Sequence, residues 1–168
     1  MTQAARTVLE DCRGALEDFN RDLQGEKWRR HWILCVTLLR AVGSVLEKVD
    51  GKADPKLKAI IDHAWKSLKK EKSPHIFLDF IEEDRNLAVK VYQMRAGQGV
   101  IIDLKALGGE PDPSPPKVTT IHTMTDGPYK GKDQHDLVQS AIDWWQDYLD
   151  KIDASYQAAS SLSQPSSS

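Results

Sequence analysis

One predicted helix carries an unusual set of charged side chains. Residues 76–94 read Ile-Phe-Leu-Asp-Phe-Ile-Glu-Glu-Asp-Arg-Asn-Leu-Ala-Val-Lys-Val-Tyr-Gln-Met. On a wheel of about 100° per residue, Asp79, Glu82, Glu83, Asn86, Lys90 and Gln93 share one polar arc. Two charges leave it. Arg85 falls among Leu78, Ile81, Val89 and Tyr92, and Asp84 among Phe77, Ala88 and Val91. Both are expected to point into the apolar face. A buried charge without a partner is costly, and adjacent helical residues do not face each other. Each must therefore pair elsewhere: Arg85 with Glu47 or an aspartate of the last helix, Asp84 with Arg29, Arg30 or Arg40. The Asp84 and Arg85 network then either fixes the register of a bundle or forms an anion-binding or catalytic cluster.

Other reactive side chains narrow the chemistry. Cys12 and Cys35 sit at helical spacing among apolar residues, in Leu9-Cys12-Leu16 and Trp32-Cys35-Leu39. They read as small buried hydrophobes rather than a disulfide or a redox pair. The histidines, 31, 63, 75, 122 and 135, form no H-E-x-x-H and no paired E-x-x-H, so no metal site is expected. No phosphate loop, dinucleotide fingerprint or nucleophile elbow is present, and no cofactor is expected. Residues 52–72 carry seven lysines against three acids, and residues 133–153 six aspartates against one lysine. These are two solvated faces that pair across a bundle, or else Lys66, Lys69 and Lys70 form an anion or RNA surface. Five tryptophans, at 28, 32, 65, 144 and 145, are many for 168 residues. Core packing accounts for most of them, with Trp144 the candidate for stacking on a glycan or base.

The pair Arg85-Asn86, on a helix within a helical bundle, resembles the R-N-x-x-x-H motif of the HEPN superfamily. The resemblance implies an all-helical, dimeric domain, many relatives of which are metal-independent ribonucleases of toxin–antitoxin and phage-defence systems. Their arginine and histidine act at the RNA phosphate, and the polar residue between them supports the site. Arg85 and Asn86 match, and the histidine position is Lys90. Histidine loses a proton near neutral pH, lysine only near pH ~10. Lys90 lies on the polar arc, where little lowers its pKa, so the resemblance implies a non-catalytic relative. A catalytic version would use Arg85, Asn86 and Lys90, or His31 or His63 folded close to Arg85.

The elements that must position these residues follow from periodicity. Residues 3–24 carry the stripe Val8, Leu9, Cys12, Ala15, Leu16, Phe19 and Leu23, a first helix that Gly25 is expected to end. Residues 26–49 form the most apolar, central helix, with Asp50-Gly51 as its stop. Asp54-Pro55 and Ser73-Pro74 each read as a cap followed by a first-turn proline. They open a third helix to about Lys70 and a fourth to about Arg95, which Gly97-x-Gly99 halts. Then Val100–Leu104 and Lys117–Thr125 read as two strands of a hairpin, joined through the proline-rich 111–116. Asp133 caps a fifth helix.

The expected fold is mainly α: a four-helix antiparallel bundle, then a β-hairpin and a fifth C-terminal helix. Residues 1–158 make one domain, with the hairpin at about 100–125, and 159–168 are a disordered serine-rich tail. A net charge of −2, no secretory signal and no spanning apolar run point to a cytoplasmic chain without a membrane role. Missing catalytic motifs favour a non-enzymatic, homodimeric interaction module of a bacterial or phage accessory system. It would have a protein partner, and RNA only as a weak ligand. The alternatives are a HEPN-like ribonuclease and a helical protein that binds a small ligand among its tryptophans.

Overall fold

The computed structural model describes residues 1–72, 75–102 and 118–161. The Ser73-Pro74 helix start, the loop 111–116 and the tail beyond 161 lie outside them. Helix α1 is Gln3–Asp18. Helix α2 is Gly25–Val45, continued through a π-helical turn Leu46–Asp50 and a last turn Gly51–Ala53. Helix α3 is Pro55–Leu68. Helix α4 covers 76–91, and α5 is Gln134–Ser161. Strands β1 (Ala96–Ile102) and β2 (Val118–Met124) pair antiparallel in one hairpin. The order of helices, hairpin and closing helix is the expected one.

Apolar periodicity explains why these helices pack. Helix α2 buries Trp32, Cys35, Val36, Leu39, Val42 and Leu46 and touches α1, α4 and α5, so it is the central helix. Trp145 of α5 is fully buried and donates its indole N–H to the Leu39 carbonyl at 2.8 Å, which satisfies the polar edge of a large apolar group. Cys12 and Cys35 are buried and free, and burial pushes both thiols up to about 12.

Several boundaries differ from expectation. Helix α1 ends at Asp18 rather than near Leu23, and Gly25 (φ 55°) opens α2 instead of ending α1. Helix α4 ends at Val91, short of Arg95. In the other cases tertiary contacts outrank local signals. Asp50 does not stop α2. It stays helical, and its carboxylate accepts the N–H groups of Ala4 and Ala5 at 3.0 and 2.9 Å, capping α1 from a distance. Asp54 does cap α3, accepting from Lys56 and Leu57. Strand β1 starts at Ala96 rather than 100, so Gly97 and Gly99 lie inside it. Gly97 is there for close approach: a Cβ would sit 2.6 Å from Thr125 Cγ2. Helix α5 runs past 158 to Ser161, where Ser160 Oγ donates to the Tyr156 carbonyl and accepts from Lys56 Nζ.

The base of the hairpin is bonded to the bundle. Gln98 Nε2 donates to the Leu23 carbonyl at 2.7 Å and lies 2.8 Å from His122 Nε2, while Gln98 Oε1 accepts from Gly25 N–H. Gln134, fully buried, donates to the carbonyls of Gly97 and Thr123 and accepts from Trp28 Nε1. Phe19 lies between two imidazoles, His122 at 5.8 Å and His135 at 5.0 Å, with nearly parallel planes. His122 Nδ1 and His135 Nε2 are buried with no hydrogen-bond partner among the described residues.

Burial holds both rings below their ordinary value of 6.5. Arg21 lowers both further, and His122 adds to the lowering at His135. Asp133 opposes at both rings, Asp136 at His135, and the Leu23 carbonyl at His122. Such groups bind a proton more readily in the unfolded chain, so stability is lost as pH falls below 6.5. The urea midpoint is therefore expected to fall between pH 7.5 and pH 5, and the double variant His122→Gln, His135→Gln to flatten that fall. A wild-type midpoint unchanged across the window would count against buried neutral rings.

Candidate functional site

The buried charge of α4 is Asp84, 1% exposed. Its partner is Arg95, not an arginine of α2. Arg95 Nη2 reaches Asp84 Oδ2 at 2.6 Å and donates to the Asp79 carbonyl at 2.7 Å, and Nε lies 3.5 Å from Oδ1. The chain turns back after α4, which brings Arg95 over the helix it has just left. Burial raises the Asp84 carboxyl and the guanidinium opposes that shift. Gly127, at φ 77°, lies against the same guanidinium, where a Cβ would come within 2.6 Å of Nη1. The Arg95 carbonyl accepts from Thr125 N–H at 2.7 Å. One arginine thus joins α4, the entry to β1 and the turn after β2.

Arg85 corrects the expectation of a buried pair. It is half-buried, and its Nη1 donates to Oδ1 of its neighbour Asn86 at 3.2 Å. It forms no ion pair among the described residues, so neither Glu47 nor an aspartate of α5 is its partner. The reason is helix geometry. Ile76–Glu82 and Leu87–Val91 are π-helical, with only Glu83–Asn86 as α-helix between them. A wider i→i+5 turn rotates less per residue than the 100° wheel assumes, so the phase drifts, and only Asp84 of the two charges stays inside.

Asn86 is half-buried and Lys90 exposed. Two contacts across α2 and α4 bracket this stretch. Arg40 lies 3.7 Å from Glu82, and the Arg29 guanidinium lies 5.8 Å from the ring centre of Tyr92. Since the two helices run antiparallel, Arg85 falls between these levels. Arg29 Nε is buried with no hydrogen-bond partner among the described residues. His31 Nδ1 lies 2.8 Å from the Lys27 carbonyl, and His63 lines a cavity between α3 and α5; no described contact joins either to Arg85.

Tyr92 ends α4 in the left-handed region (φ 55°, ψ 38°), alone among described non-glycine residues. A bulky residue there carries strain on the order of 1–3 kcal/mol. It is also 64% exposed.

Lys66 and Lys69 are exposed and edge a cavity of about 370 Å³ with Arg40, but Glu47, Asp62 and Glu82 share its walls. Lys70 is exposed and does not line it. The lysines therefore do not make a surface of one sign. The α3–α5 cavity, about 500 Å³, has Trp144 and Tyr148 on its wall. Trp144 is half-buried, with Tyr148 stacked at 4.9 Å and Phe77 at 5.5 Å. Trp28, Trp32 and Trp145 are core residues. Among the described residues no group of three or more His, Cys, Asp or Glu could hold a metal ion, and no helix is long and apolar enough to cross a membrane.

Sequence reasoning missed Arg95, for which the only cue was a lone arginine just before Ala96-Gly97-x-Gly99. It also missed an apolar surface. Of the ten exposed large apolar residues described, seven lie within 89–118: Val89, Val91, Tyr92, Val100, Ile101, Ile102 and Val118. The alternating, β-branched strands were legible; that they overhang the bundle was not. Searches against protein-family models, curated proteins and solved structures find no match for this chain.

Removing one partner of a buried ion pair leaves an uncompensated charge, at about 3–5 kcal/mol. Asp84→Ala is expected to cost that much in urea denaturation. Asp84→Leu with Arg95→Met should recover most of the loss, while Arg85→Ala costs about 1 kcal/mol or less. Equal losses for Asp84→Ala and Arg85→Ala would contradict the assignment of Arg95 as the partner.

Proposed function

We propose that the chain is a non-enzymatic helical interaction module, homodimeric, of a bacterial or phage accessory system. The observation that carries the reading is the concentration of exposed apolar side chains on the end of α4 and the outer half of the hairpin. Exposed apolar side chains gathered in this way, with Val100, Ile102 and Val118 on one face of the hairpin, mark an interaction site on a folded chain. The helical bundle holds this surface out, and the Asp84–Arg95 pair fixes its angle.

Sedimentation velocity tests the reading. The wild-type chain is expected to dimerise at micromolar concentrations. Ile102→Asp or Val118→Asp, each placed on an exposed side chain, should weaken the dimer about tenfold or more, the equivalent of about 1.4 kcal/mol, with the thermal midpoint unchanged. A wild-type monomer up to hundreds of micromolar would refute it.

A second reading has its own support. Arg29 and Arg85 lack carboxylate partners among the described residues, and Arg29 lies against an exposed tyrosine, a combination suited to a nucleic-acid phosphate with a base stacked beside it. In that reading the module is a degenerate HEPN-like domain. Lys90, exposed on α4, adds a cation for phosphate. The expected outcome is weak RNA binding that fades with salt, lost in Arg29→Ala with Arg85→Ala, and no cleavage without metal. Metal-free cleavage that Arg85→Ala abolishes would replace this reading with a nuclease.

A further inference from the structure

The two strands hold seven consecutive cross-strand partners, Ala96↔Met124 to Ile102↔Val118, with no bulge. Neither strand contains a charged residue or a proline. Proteins normally protect a sheet edge with such residues or bulges, because a bare edge pairs with any strand that reaches it. This hairpin has two edges, and they are not equivalent. Met124 directs its N–H to the Lys132 carbonyl and its carbonyl to Gly131 N–H, and Thr123 bridges to Asp133. The base of the β2 edge is therefore occupied.

Backbone direction alternates along an antiparallel ladder. Met124 faces away from β1, so its partner Ala96 faces outward on the other side, and so do Gln98, Val100 and Ile102. No described residue bonds the outward N–H or carbonyl groups of Gln98, Val100 or Ile102. The side chains of Val100 and Ile102 share a face with Val118, and all three are more than half exposed.

We propose that the β1 edge pairs with β1 of a second copy, antiparallel about a two-fold axis at Val100, to give a continuous four-stranded sheet. The inference rests on the reading of the chain as a self-associating module and names how it associates. The occupant follows from the strand itself. A two-fold places Val100 opposite Val100 and Gln98 opposite Ile102, so no like charges meet. It also brings Val100, Ile102 and Val118 of both copies onto one face as a single apolar strip, each of them more than half exposed in one copy. A charged or irregular strand would leave that strip open.

Cysteine cross-linking of the full chain tests the register. Val100→Cys places two thiols across the axis, at a Cα separation near ~5.5 Å, within disulfide reach. Ile101→Cys lies on the opposite face and out of register with its own copy. Cys12 and Cys35, buried with raised thiol pKa values, stay silent. After mild oxidation at tens of micromolar, Val100→Cys is expected to run mostly as a covalent dimer on a non-reducing gel. Ile101→Cys should give several-fold less, and wild type none. Equal cross-linking at 100 and 101, or none at 100, overturns the pairing. If Ile102→Asp still disperses a wild-type dimer while Val100→Cys does not cross-link, the association stands and the strand register is wrong. If wild type never dimerises, both fall.

Discussion

A carboxylate that is 1% exposed on a helix must have a cation beside it, and Asp84 draws Arg95 into that place. Most of the geometry around the hairpin follows. Arg95 can reach back only if the chain reverses sharply after α4, and Tyr92 in the left-handed region makes that reversal. The guanidinium then fills the space beside Gly127, which needs both its positive φ and its missing Cβ. The Arg95 carbonyl starts the ladder by accepting from Thr125. A single buried charge thus sets the exit of a helix, the start of a strand and the turn that follows its partner strand.

The other polar groups inside the molecule act in a similar way, as long-range ties between segments that sequence alone leaves independent. Asp153 accepts from Thr2 and Arg6 and holds the N-terminus to α5. Asp50 caps α1 from the far end of α2. Gln134 links Trp28 to both strands. Each leaves few unsatisfied groups, as buried polar side chains must. The histidines around Phe19 are less well served: His122 Nδ1 and His135 Nε2 are buried with no partner among the described residues, as are Arg29 Nε, the indole N–H groups of Trp32 and Trp65, and the Tyr148 hydroxyl. The unpartnered imidazole nitrogens lie at the junction of hairpin, α1 and α5, where protonation of either ring works against the packing.

Local signals made the helices legible: the stripe Leu9-Cys12-Ala15-Phe19, the Asp54-Pro55 cap and the apolar run of α2 all mark elements that are present. What misled were residues with two uses. Asp50-Gly51 reads as a stop, yet Asp50 is helical because its carboxylate is needed by α1. Gly97-x-Gly99 reads as a breaker, yet both glycines lie in a strand where Thr125 and Ile121 come close. Arg85 and Asp84 look alike on an ideal wheel, and only π-helical turns separate them. No residue type announces such turns, so half of the candidate site was beyond reach of a periodicity argument. The Asp84 half was within it, although its partner lay past the helix end.

The hairpin changes character along its length. At its base, Ala96, Gln98, His122 and Met124 rest on the bundle, with their polar atoms bonded to the α1–α2 turn and to β1 itself. Beyond Gly99 the same face continues as Val100, Ile102, Thr120 and Val118, where the Gln24 side chain reaches Thr120 from the bundle. A two-stranded ribbon is marginal in water by itself, so the outer half is ordered by being continuous with an anchored base. It keeps the β-branched composition of a buried strand without the burial. Had that half been selected only to connect β1 to β2, polar residues would have cost nothing there and removed the exposed edge. Valine and isoleucine favour the extended backbone there, and in doing so they leave Val100, Ile102 and Val118 as one exposed apolar face that no contact with the bundle requires.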